Sequence, residues 1–164
     1  QCGRTAYEYS AEISKENKLY GDKMKNSEKF SVVKTFEISY AHRLLNYNGK
    51  CENLHGHNGK IEIEISTYNL NNEEMVMDFT EIKEKAGRWL NENLDHKTIL
   101  SRKDPLVKAL KKNHQKLFLT DRNPTAEILC QIIYENLNKL GIKAETIKFW
   151  ETDSSVAIYK KEEL

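Results

Sequence analysis

Lys60-Ile61-Glu62-Ile63-Glu64-Ile65-Ser66-Thr67-Tyr68 sets three isoleucines against two glutamates at a strict period of two. Successive side chains of a strand point to opposite faces, so this run predicts a strand with one buried face and one wet face. Such strands belong to antiparallel sheets, because strands of a parallel sheet are covered on both sides. Upstream, residues 31–40 (Ser-Val-Val-Lys-Thr-Phe-Glu-Ile-Ser-Tyr) are rich in β-formers. Val32, Phe36, Ile38 and Tyr40 share one face there, and His42 follows on the same parity. Downstream, residues 145–152 and 156–159, joined through Asp153-Ser154, predict a closing hairpin.

Two helices separate these strand pairs. Asp78-Phe79-Thr80-Glu81 reads as a capping box, after which Phe79, Ile82, Ala86, Trp89, Leu90 and Leu94 form an apolar stripe. Asn123-Pro124-Thr125-Ala126-Glu127 opens the second helix with Pro124 at its first position. Its expected core face is Leu129, Ile132, Ile133, Asn136, Leu137 and Leu140, with Gly141 as its stop. Residues 97–122 read as a long connection holding a short helix that begins at Asp104-Pro105. The order β-β-α-α-β-β predicts a single α+β domain over residues 30–164, with two helices on one face of an antiparallel sheet. Residues 1–29 are polar and aperiodic and are expected to be a loosely ordered arm, with Met24 a natural start.

Bulk properties narrow the function. A net charge of +1 gives no global field that would favour nucleic acid or an anionic membrane. No apolar run approaches the ~18 residues of a membrane span, and no signal-peptide pattern occurs. Cys2, Cys51 and Cys130 are odd in number and far apart, which argues against a disulfide framework and for a cytoplasmic protein.

The chemistry concentrates in Cys51-Glu52-Asn53-Leu54-His55-Gly56-His57. His55 and His57 are two apart, so in an extended segment both rings point one way and can converge on one ion. Taken alone, a His-x-His pair is more often incidental, but this segment is polar and offers the rings no apolar core to fill. His42 is within reach if the first two strands pair. Three imidazoles suit Zn²⁺ and leave one position open to water or substrate hydroxyls. A closed Cys-His₃ site with Cys51 as fourth ligand competes with it, and the spacing does not exclude it. Cys51 has no apolar shell and stands beside Lys50, whereas Cys130 reads as a buried small hydrophobe. Asp95-His96 lies where the first helix ends; it is either a solvated terminus or a carboxylate orienting an imidazole for proton transfer, and the latter requires a turn beyond the helix. Glu151 shares parity with Ile147 and Phe149, which puts a carboxylate on an apolar face unless it lies wet beside the turn. His114 and Lys108, Lys111, Lys112 and Lys116 read as a solvated face.

Tyr-Ala-His-Arg-Leu at 40–44, Cys-Glu-Asn-Leu-His-Gly-His at 51–57, Met-Asp-Phe at 77–79, Leu-Asp-His-Lys at 94–97, Asn-Pro-Thr-Ala-Glu at 123–127 and Trp-Glu-Thr at 150–152 occur in order. As an ordered set they resemble the 6-pyruvoyltetrahydropterin synthase / 6-carboxytetrahydropterin synthase family. The resemblance implies a tunnelling fold (T-fold), in which three protomers close their sheets into a barrel and two trimers stack. It implies His42, His55 and His57 as zinc ligands and Cys51 as the proton-abstracting residue. Asp95 and His96 would be the relay, supplied by a neighbouring subunit, and Glu151 would anchor the pterin ring with Thr125 nearby. The three-residue gap between Cys51 and His55 resembles the bacterial 6-carboxytetrahydropterin synthases of the queuosine pathway. That implies a zinc-dependent lyase acting on 7,8-dihydroneopterin triphosphate to give 6-carboxy-5,6,7,8-tetrahydropterin, acetaldehyde and triphosphate. Rival expectations are 6-pyruvoyl formation, folate-directed side-chain cleavage (Glu52 resembles variants in which a glutamate takes part), a zinc hydrolase, and a non-catalytic zinc-stabilised binding module. The connection at 97–122 is longer than in the shortest members of the family.

Overall fold

The computed structural model describes residues 28–161, so the expected N-terminal arm, with Met24 and Cys2, lies outside the described residues except for its last two positions. Strands β1 (Phe30–His42) and β2 (His55–Thr67) form the long central hairpin. It is antiparallel, with Tyr40 opposite His57 and His42 opposite His55. β2 also pairs antiparallel with β5 (Ala144–Thr152), and β5 with β6 (Ser155–Lys160). The inward face of β2 carries Ile61, Ile63 and Ile65, as its alternation predicts, and Glu62 and Glu64 stay on the other side.

The connection between the helices is more ordered than expected. It contains β3 (Lys97–Ser101), α2 (Leu106–Lys112) and β4 (Leu117–Thr120). β3 runs parallel to β1, and β4 parallel to β3, so the sheet is mixed and six-stranded in the order β4-β3-β1-β2-β5-β6. The expectation of a purely antiparallel sheet is corrected here. Ile99 and Leu100, adjacent in sequence, are both fully buried, and only Ile99 joins the main core. A short strand covered on both faces has no alternation to betray it. The short helix after Asp104-Pro105 is present as expected.

The first expected helix, α1, covers residues 79–93 as an α-helical turn (Phe79–Ile82), a π-helical segment (Lys83–Gly87) and a last α-helical stretch (Arg88–Asn93). Asp78 caps it, its carboxylate accepting from the Thr80 N–H. The wider π turn keeps residues four apart on one side, so Ile82, Ala86, Leu90 and Leu94 form the buried stripe. Phe79 is thereby left exposed and Trp89 is half-buried against Phe118, a correction to the stripe read at 3.6 spacing. In α3 (Ala126–Lys139) the N-cap is Thr125, so Pro124 precedes the cap instead of opening the helix. Its core face is Ala126, Leu129, Cys130, Ile133 and Leu137, whereas Leu140 is exposed at the C-cap. Gly141, at φ 82°, ends the helix as expected. α1, α3 and the inward side of the sheet share one core. Each of its fully buried Ile and Leu side chains contributes about 1.5–3 kcal/mol by leaving water.

Candidate active site

The register of β1 and β2 decides the site. Pairing His42 with His55 and Tyr40 with His57 places three imidazoles at the mouth of the hairpin, on the face that continues into the core. Ring centroids lie 4.7 Å apart for His42–His55, 5.2 Å for His42–His57 and 4.9 Å for His55–His57. One nitrogen from each lies within 4.8 Å of the others, and neither Cys51 nor Glu151 joins this convergent group. The Nδ1 of His42 bonds to the Pro124 carbonyl and that of His55 to the Asn53 carbonyl, both at 2.8 Å. A carbonyl can only accept, so both Nδ1 atoms donate and both Nε2 atoms keep a lone pair. The Nε2 atoms of His42 and His57 are buried with no hydrogen-bond partner among the described residues. Orphaned ring nitrogens facing one another are what a divalent ion with a preference for nitrogen would satisfy, and the donor set fits Zn²⁺. Burial, helped by the neighbouring His55 and His57 rings, holds the His42 pKa below the ordinary imidazole value, which favours the neutral, ligating form.

Residues 42–45 are fixed one after another. Beyond the His42 bond, Arg43 makes a bidentate pair with Asp104, at 2.7 Å from Nε and 2.8 Å from Nη2. Arg43 Nη1 reaches the Glu52 carbonyl at 3.5 Å, and the Leu44 N–H donates to the Cys51 carbonyl at 2.8 Å. Asn123 accepts from the Leu45 N–H and donates to its carbonyl, each at 2.8 Å. The short 3₁₀ turn Lys50–Glu52, which carries Cys51, is thus tied to the end of β1. Cys51 is half-buried there and Cys130 fully buried, and both are free thiols. Sequence reasoning missed this frame, because Arg43, Asp104 and Asn123 are distant in the chain.

Glu151 also comes to the cluster. β5 bulges between Trp150 and Thr152 against β6, and a bulge re-aims the side chain of its extra residue. The Glu151 Oε1 lies 3.7 Å from His42 Nε2 and accepts from the Tyr40 hydroxyl at 3.3 Å. Tyr40 was missed as a site residue; its position two residues before His42 on the same face is the signal that could have found it. Thr125 follows Pro124, and its hydroxyl oxygen accepts from the Ile128 N–H at 3.4 Å as a cap, leaving its hydrogen available to donate.

Asp95 and His96 lie elsewhere. They occupy the turn after α1, with His96 in the left-handed region at φ 53° and its side chain well exposed. Asp95 accepts from the Ser39 N–H and from His96 Nδ1, both at 2.9 Å. Burial would raise its pKa; the Ser39 and His96 donors outweigh that and hold the carboxyl below its ordinary value. His96 lines a cavity with Ser39, Tyr40, Ala41, Gly56, His57 and Asn58 at the end of the hairpin. Within one chain Asp95 and His96 stay outside the convergent imidazole group. His114 and its neighbouring lysines are exposed around α2.

Among the described residues no helix is long and apolar enough to cross a membrane. The sequence model of the family described as 6-pyruvoyl tetrahydropterin synthase matches residues 31–162. The chain is 33% identical over 162 residues to the 6-carboxy-5,6,7,8-tetrahydropterin synthase of Aquifex aeolicus, covering 82% of this chain and 99% of that protein. It is 31% identical over 140 residues to the enzyme of the same name from Haemophilus influenzae, covering 80% of this chain and 99% of that one. In fold it is similar to an uncharacterized protein of Wolinella succinogenes (TM-score 0.70, 22% identity, 83% of this chain and 100% of that one). It is also similar to the 6-pyruvoyl tetrahydropterin synthase of Plasmodium falciparum (TM-score 0.66, 22% identity, 82% and 99%). A six-stranded α+β domain whose family match spans nearly all of its described residues identifies this chain as a member of the 6-pyruvoyl tetrahydropterin synthase family.

Proposed function

We propose that the protein converts 7,8-dihydroneopterin triphosphate and water to 6-carboxy-5,6,7,8-tetrahydropterin, acetaldehyde and triphosphate. The observation that carries this reading is the convergence of three imidazoles, with Cys51 outside the convergent group and its backbone tied to Leu44, two residues past His42. That arrangement supports an ion with an open coordination position over a closed Cys-His₃ site. The names of the Aquifex and Haemophilus relatives favour the 6-carboxy product.

His42, His55 and His57 would hold Zn²⁺ through Nε2. Bound there, the ion supplies Lewis acidity toward the side-chain hydroxyls of the substrate. Cys51 would remove a side-chain proton, from a 3₁₀ turn whose backbone is tied to Leu44. Glu151 accepts N–H bonds from the pterin edge, which orients the ring and rejects bases lacking those donors. Thr125 contributes its remaining hydroxyl hydrogen nearby. Asp95 keeps the His96 ring oriented for proton transfer. A neighbouring copy would supply this pair, in the barrel-forming trimer and stacked pair of trimers that the fold family implies. We place the protein in the cytoplasm and in queuosine biosynthesis.

The test is direct. Zinc-loaded protein is incubated with 7,8-dihydroneopterin triphosphate and the pterin product identified by mass. The 6-carboxy product with one acetaldehyde per turnover is expected. A 6-pyruvoyl or 6-hydroxymethyl product would reassign the reaction within the family, and no pterin turnover at all would leave a hydrolase or a binding module.

A further inference from the structure

We infer that Tyr40 is a positioning residue that orients the Glu151 carboxylate toward the substrate, an assignment resting on the reading of Glu151 as the pterin anchor. Tyr40 is 4% exposed, and its ring is held from three sides. It lies edge-on to His42 at 5.2 Å and to Phe149 at 5.4 Å, and tilted against His57 at 5.7 Å. Gly59 leaves the ring its seat, since a Cβ there would come within 3.0 Å of Tyr40 Cε1.

A phenol buried this deeply needs a partner for its hydroxyl, and Glu151 Oε1 is the partner. A phenol hydroxyl can donate and a carboxylate oxygen can only accept, so the hydrogen bond runs from Tyr40 to Glu151. Among the described residues this is the sole hydrogen bond of the Glu151 side chain, and His42 Nε2 lies 3.7 Å from Oε1. Two settings of the carboxylate therefore compete. Held by Tyr40, it presents Oε2 and the remaining lone pair of Oε1 to donors on a substrate. Released, it would have no fixed orientation and could turn toward the imidazole cluster, whose His42 Nε2 lies 3.7 Å from Oε1. The hydroxyl selects the first setting, and the ring, wedged among two of the three imidazoles and Phe149, makes that choice rigid.

Tyr40→Phe keeps the ring and removes only the hydroxyl. Substrate affinity is read as the Kd of 7,8-dihydroneopterin triphosphate in a zinc-loaded Cys51→Ala background, where turnover does not interfere. We expect Tyr40→Phe to weaken it roughly 10-fold, the size of one hydrogen bond to a charged acceptor. In otherwise wild-type protein, KM should rise with kcat changed less than about threefold, and zinc per chain and the melting temperature should not change. Combining Tyr40→Phe with Glu151→Gln should be no worse than Glu151→Gln alone. Additive effects, an unchanged Kd, or loss of zinc in Tyr40→Phe would each overturn the assignment. The two readings fail separately. If Glu151→Gln leaves the Kd unchanged, the anchor itself is wrong; if Glu151→Gln weakens binding and Tyr40→Phe does not, only the role of Tyr40 falls.

Discussion

Arg43→Ala tests how the site is framed. The Asp104 side chain is fully shielded from solvent and is held by two Arg43 donors and by the Leu106 N–H at 2.8 Å. Burial alone would raise its pKa, but Arg43 and Leu106 outweigh that and hold the carboxyl below the ordinary range. Deleting the guanidinium leaves a buried carboxylate with one donor, and breaking a buried pair from one side costs about 3–5 kcal/mol. Arg43 is itself 21% exposed, so the lower end applies: about 3 kcal/mol, or roughly 10 °C in Tm for a domain of this size. Asp104→Asn removes the charge and keeps an acceptor for Leu106, and should cost only about 1 kcal/mol. The double variant should then be no less stable than Arg43→Ala.

The pH dependence follows from the direction of the shift. A carboxyl whose folded pKa is depressed stabilises fully above its unfolded value of about 3.9 and loses that contribution as pH falls through the folded value. In wild type this term is therefore flat from neutral pH to about pH 5. In Arg43→Ala the burial is no longer outweighed, so Asp104 gains affinity for a proton and the gap to wild type narrows on acidification. Urea unfolding of the three variants at pH 7 and pH 5, at one protein concentration, reads both effects. A loss under about 1 kcal/mol, the scale of a surface pair, or strictly additive single variants would refute the reasoning.

Other outcomes follow from the same geometry. Cys51→Ala should lower turnover at least about 10²-fold while retaining metal, and metal analysis of the purified variant checks this; lost metal would make Cys51 a ligand. Gly56→Ala should weaken metal binding and destabilise by about 1–3 kcal/mol, because its Cβ would stand 3.0 Å from the Tyr40 carbonyl and force β1 from β2 between the imidazoles. Competition with a chelator and thermal unfolding would detect the two effects. Stripping the metal from wild type should lower Tm, zinc should restore it, and His57→Ala should respond to neither, as calorimetry would show. Burial pushes the Cys130 thiol up to about 12, so iodoacetamide at pH 8 should modify Cys51 and spare Cys130 until the protein unfolds, as read by peptide mass mapping.

Much of this protein is legible along the chain because its signals are local. The alternation at Ile61, Ile63 and Ile65, the cap at Asp78 and the stop at Gly141 each act within a few residues, and the structure has all three. His55 and His57 could be paired by eye, since a strand returns to the same face every second residue. What tertiary structure decided is everything that depends on two distant segments meeting. Ile99 and Leu100, buried on both faces, carry no period, so β3 and its parallel pairing emerge only once β1 lies beside them. The π turn in α1 shifts which residues face inward, and helix periodicity by itself does not contain that shift. The Asp104–Arg43 pair, the Asn123 clamp on Leu45 and the Tyr40–Glu151 bond join residues 61, 78 and 111 positions apart. A hydrogen bond depends on where atoms stand in space, and at such separations only the folded sheet brings them together.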